Sequence, residues 1–226
     1  MDIPSPRIDS QEAEAVYFQG RIWICGGCNN TQLLATNYCM SYALGEDKTE
    51  WVVEESLVME RARFGMTIIG DQMYIVGGYG AGRDGEDNPE AEHTVEVYTP
   101  GEGWKIAENM RMEEPSKGAC SALINDEVLV VIGGKRDGEY LSTVISYNVK
   151  EDSGIGVPLA DLQEARYQPA CTTGYFGNQY GIFVTSGSRT TAESVEFYVA
   201  EANAWIYRNP LQDKRGSHNI FKLMET

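Results

Sequence analysis

Met73-Tyr74-Ile75-Val76-Gly77-Gly78 is an apolar run that closes on paired glycines. The same figure occurs at Ile22-Trp23-Ile24-Cys25-Gly26-Gly27, Leu129-Val130-Val131-Ile132-Gly133-Gly134 and Ile182-Phe183-Val184-Thr185-Ser186-Gly187. The doublets open at residues 26, 77, 133 and 186, so the spacings are 51, 56 and 53 residues. A short apolar run bounded by glycine reads as a strand, and its recurrence at a fixed interval reads as a stacked repeat.

Working outward, a β-branched strand carrying a tyrosine follows each doublet: Asn37 to Tyr42, Thr94 to Tyr98, Thr143 to Tyr147 and Ser194 to Tyr198. Tryptophan opens a further strand at Trp51, Trp104 and Trp205; the third unit lacks it, and Val157 is expected to fill the place. A basic residue then precedes a short small-residue strand, as in Gly118-Ala119-Cys120-Ser121-Ala122. Turns such as Gly70-Asp71 and Asn125-Asp126 return the chain to the next doublet strand. Tyr17-Phe18-Gln19-Gly20 resembles an expression-tag scar, but Gln19-Gly20 falls where the repeat needs that turn. Each unit therefore holds four strands, the content of one propeller blade. Blades are expected near residues 8–55, 62–108, 117–160 and 168–208, with 215–226 starting another, all within a single region 1–226. Twisted sheets of this kind bury their faces only by packing on one another. The tyrosines, tryptophans and paired glycines are accordingly read as structural.

Apolar strand, Gly-Gly, spaced Tyr and Trp, then Arg: this order resembles the Kelch repeat superfamily, over roughly Pro6 to Phe221. The resemblance implies an all-β, Kelch-type β-propeller with about four four-stranded blades plus one extra strand. Because relatives close six or seven blades, it also implies a piece of a longer, six-bladed ring, the alternative being an unusually small or open ring. Loops on one face would carry recognition. In similar adaptor proteins the basic residue before each first strand, and the residue after Gly-Gly, line a shallow pocket. Carried over, these are Arg61, Lys117, Arg166 and Arg215, with rim positions Cys28, Tyr79, Lys135 and Ser188 and their neighbours Arg136 and Arg189. Arg61 is preferred to Arg63 because it stands 16 residues before Gly77, as Lys117 does before Gly133. The expected ligand is a protein partner, an acidic peptide segment whose carboxylates guanidinium groups grip bidentately. Substrate recognition in a cullin ubiquitin-ligase adaptor is the implied role, although no BTB region is visible here. A cytoskeletal, actin-binding scaffold is the alternative, and a sugar-active Kelch enzyme a more distant one.

Composition narrows the field further. The net charge of −16 argues against nucleic acid, which needs a basic surface. No apolar run is long enough for a membrane span, and Met1–Arg7 has no signal-peptide core. Cys25-Gly26-Gly27-Cys28 has redox spacing but follows a strand rather than opening a helix, and no second Cys/His pair completes a metal site. Five cysteines are thus expected to be reduced, buried thiols of a cytoplasmic protein. Two histidines, His93 and His218, fall in different units, too few for a copper centre beside a tyrosinate. No catalytic residue, cofactor or metal is assigned. The acidic stretch Gly80 to Glu92 is read as a solvated insertion.

Overall fold

The computed structural model describes residues 10–29, 34–44, 50–81, 87–112, 116–151, 155–187 and 193–213. Among these, four antiparallel four-stranded sheets form. The first joins β1 (Glu14–Phe18), β2 (Arg21–Cys25), β3 (Cys39–Ala43) and β4 (Val52–Val53). The second joins β5 (Gly65–Ile69), β6 (Gln72–Val76), β7 (Val95–Thr99) and β8 (Gly103–Ile106). The third joins β9 (Cys120–Ile124), β10 (Val128–Ile132), β11 (Val144–Asn148) and β12 (Val157–Pro158). The fourth joins β13 (Ala170–Phe176), β14 (Gln179–Thr185), β15 (Val195–Val199) and β16 (Ala204–Arg208). In every sheet the strands pair in chain order, the up-and-down pattern of a propeller blade. The Gln19-Gly20 hairpin has both central residues at positive φ, as its tight turn requires.

The chain forms two compact units, Met1–Arg111 and Met112–Thr226, each holding two sheets. The core of the first gathers Phe18, Trp23, Leu57, Phe64, Met73, Ile75 and Trp104; that of the second gathers Val130, Ile132, Leu162, Ile182, Val184, Tyr198 and Trp205. Tyr98 faces Trp104, and Tyr198 faces Trp205, directly across the register, with ring centroids 5.3 and 5.1 Å apart. In the third sheet the pairing of Ser146 with Val157 sets Gly156 opposite Tyr147. Val157 is 58% exposed and does not replace the missing tryptophan. The backbone at Gly156 instead runs so close to Ile145 and Tyr147 that a Cβ there would lie 2.6 Å from Ile145.

The doublets are needed because the backbone both turns and passes close to the next blade's lead-in. At Gly26, φ is +60° and a Cβ would stand 2.6 Å from the carbonyl oxygen of Arg61, which leads into the second sheet.

Four cysteines depart from the expectation of reduced thiols. Cys25 is disulfide-bonded to Cys39, its cross-strand neighbour, and Cys120 on β9 to Cys171 on β13; Cys28 is a buried free thiol. Spacing could not reveal these pairs, because the partners meet only through sheet register and blade stacking. No helix among the described residues is long and apolar enough to cross a membrane.

Glu14, opposite Cys25 on β1, has its carboxyl pushed up to about 7 by burial. Folding therefore holds a proton that the unfolded chain releases near its ordinary value of 4.5, and stability falls as pH rises between those values. Glu14→Gln should leave the melting temperature unchanged at pH 4 and raise it at pH 8. Equal shifts at both pH values would show that burial of the ionised carboxylate is not the cause.

Candidate partner-binding site

Two of the expected pocket residues lie elsewhere. Arg61 and Arg166 are fully buried, each against a fully buried glutamate: Arg61 Nη2 lies 2.7 Å from Glu96 Oε1, and Arg166 Nη2 lies 2.9 Å from Glu196 Oε1. Arg61 also donates to the carbonyls of Gly77 and Ala91 and to the Thr94 hydroxyl. Arg166 donates to the carbonyl of Ser186 and to the hydroxyl of Ser194. Burial draws the Arg61 guanidinium below its ordinary pKa, and the Glu96 carboxylate opposes that shift. These groups tie the chain entering a blade to that blade's own doublet, and both guanidinium groups are sealed inside the fold. Their assignment to a partner-binding surface is corrected accordingly.

The error came from counting backwards from the doublet. In the third sheet the group that reaches the doublet carbonyl is the Ser116 hydroxyl, 2.9 Å from the Gly133 oxygen, so Ser116 and not Lys117 stands where Arg61 stands. The acidic partner is lost with it: Ile145 faces Val131 at the register position where Glu96 faces Ile75 and Glu196 faces Val184. Arg and Glu are present together or absent together, as expected when an unpaired buried charge is costly. The acidic stretch is likewise more than a solvated insertion. Asp87–Asn88 pairs with Gly80–Ala81, and the short helix Pro89–His93 brings the Ala91 carbonyl onto Arg61.

Lys117, freed from that role, meets Lys135 in a backbone bridge, each amide donating to the other's carbonyl at 3.2 and 2.8 Å. Lys135–Arg136 pairs with Glu139–Tyr140 as a ribbon turned at Asp137-Gly138, both at positive φ. The Tyr140 ring stacks on Tyr167, with centroids 5.5 Å apart and planes 7° from parallel, and Lys135 Nζ lies 5.7 Å from each centroid. Three of the expected residues, Lys117, Lys135 and Arg136, are therefore brought together at one end of this blade. They are joined by two tyrosines that sequence reading missed. Neither tyrosine occupies a repeated position, so periodicity carried no signal for them.

Tyr79 sits in the first unit, in a different cluster. Its ring lies 5.4 Å from the Arg63 guanidinium carbon, and its hydroxyl donates to Glu12 at 3.4 Å. Arg63 forms an ion pair with Glu12, and the Cys28 thiol donates to the same carboxylate at 3.6 Å. Burial, chiefly, raises both the Cys28 thiol and the Tyr79 phenol, so neither is primed to ionise. Ser188, Arg189, Arg215 and His218 lie outside the described residues. Among the described residues no group of three or more His, Cys, Asp or Glu side chains is placed to hold a metal ion.

A Kelch motif family model matches residues 60–110. Over 103 residues, 44% of this chain, the sequence is 31% identical to Kelch repeat and BTB domain-containing protein 2 of Horsepox virus. It is 30% identical over the same length to the protein of that name from Cowpox virus (strain GRI-90 / Grishak). The match spans only 17% of either relative's own length. Among solved structures, that of YjhT matches with a TM-score of 0.71 at 13% identity, over 93% of this chain and 73% of that one. At that identity the likeness speaks for the fold alone.

Proposed function

Because this chain is a Kelch-type β-propeller, we propose that it is a protein-interaction module rather than an enzyme, gripping an acidic segment of a partner at the blade end that carries Lys117, Lys135 and Arg136. The observation that carries this reading is the convergence of three cations and two stacked tyrosines there, on a chain whose net charge is −16. A local basic patch on an acidic protein steers an acidic partner toward one place. Aromatic anchors beside it add contact area at small entropic cost. Arg189 and Arg215 extend the same expectation. The relatives named for both Kelch repeats and a BTB domain support the finer reading, substrate recognition within a ubiquitin-ligase adaptor of the cytoplasm.

The double variant Lys117→Glu, Lys135→Glu should reduce partner retention at least tenfold while its far-ultraviolet circular dichroism stays that of the parent. Retention should also fall as salt rises, since exposed charges are screened. Full retention by a folded double variant would remove the patch from the binding face.

A further inference from the structure

Building on that reading, we propose that Tyr140 and Tyr167 are its specificity element: a stacked-ring platform that takes an aromatic side chain standing next to a carboxylate in the partner. Tyr140 is 46% exposed, and one face of its ring rests on Tyr167. Lys135 Nζ is equally far from both ring centroids, so the ammonium lies beside the seam between the rings and not over the outer face of Tyr140. That outer face is the natural seat for a third ring, and the ammonium is the natural partner for a carboxylate beside it.

The platform is held in place before any partner arrives. Tyr140 is fixed opposite Lys135 by the ribbon register. Tyr167 is anchored from both sides. The preceding residue is the buried Arg166, and the Gln168 amide donates to the Gly118 carbonyl at 2.8 Å. At Gly118, where φ is +67°, a Cβ would stand 2.4 Å from the Tyr167 ring, so glycine is needed for the ring to approach the backbone this closely. Just beyond, the Cys120–Cys171 disulfide joins the two strands that these segments enter. A surface that needs no ordering on binding spends little entropy there. Asp137 and Glu139 share the ribbon with Lys135 and Arg136, and they oppose a long run of carboxylates. One acidic residue beside a ring suits the platform better than a polyacidic tract.

Titration of the whole chain with three short peptides, followed by nuclear magnetic resonance, tests this. The probes are acetyl-Gly-Glu-Tyr-Glu-Gly-amide, the same peptide with alanine for tyrosine, and the same with glutamine for both glutamates. The tyrosine peptide should bind about tenfold tighter than the alanine peptide, a difference of about 1.4 kcal/mol. Tyr140→Ala should erase that difference, so that its tyrosine and alanine peptides bind alike. Equal binding of the two glutamate peptides to the parent would overturn the platform while leaving the acidic-segment reading in place. Equal binding of the glutamine peptide would overturn the pairing of ring with carboxylate. No perturbation of Lys135 or Tyr140 resonances by any peptide at millimolar concentration would overturn both readings.

Discussion

Replacing Arg166 with alanine is expected to lower stability by about 3–5 kcal/mol, because it strands the Glu196 carboxylate in the interior. Both side chains have zero exposure, and Glu196 has other obligations, accepting the Gln163 amide at 2.8 Å. The carbonyl of Ser186 loses its 2.6 Å donor at the same time. In a chain of this size each kcal/mol moves the midpoint by about 2–4 °C, so the variant should melt well below the parent. Removing both charges should cost less than the two single losses combined. The third blade, with Ser116 and Ile145 at the matching positions, shows that the repeat tolerates a neutral arrangement. Thermal melts of Arg166→Met, Glu196→Leu and the double variant measure this. Strict additivity would mean that the two groups are not energetically coupled, and the buried pair would lose its structural role.

Loss of the Cys120–Cys171 disulfide should cost about 4 kcal/mol, the loop-closure value for a long loop. The bond closes a separation of 51 residues and joins two neighbouring sheets of the second unit. Cys25–Cys39 closes only 14 residues within one sheet and should contribute less. The double variant Cys120→Ser, Cys171→Ser therefore ought to unfold at lower urea than Cys25→Ser, Cys39→Ser. Alkylation of the denatured, unreduced protein supplies an independent reading: one thiol, that of Cys28, should react, against five after reduction. Five reactive thiols before reduction would return the chain to the all-thiol state first expected of it.

The Arg166–Glu196 pair and the Cys120–Cys171 bond both join residues far apart in the chain, and the division between legible and hidden features follows the same line. Alternating apolar strands, left-handed turns and the Tyr/Trp pairs are local signals, repeated in phase, so the residues alone identified a four-stranded blade and its repetition. Tyr98 and Trp104, six residues apart, had to face each other once a hairpin formed between them. Arg61 and Lys117 looked alike to the same reading, sharing residue class and distance from the doublet. Their opposite fates were decided by register: Arg61 meets Glu96 on another strand, whereas Ser116 and not Lys117 reaches the doublet at the matching place. The disulfide partners were hidden for the same reason, as were the stacked Tyr140 and Tyr167. A side chain's environment is set by what register and stacking bring against it, and one-dimensional spacing carries no record of that. The residues alone were enough to specify four-stranded propeller blades resembling Kelch repeats. Tertiary structure decided which cations are sealed in the interior and which stand beside an exposed aromatic ring, because only burial and partnering distinguish a structural charge from one a partner can reach.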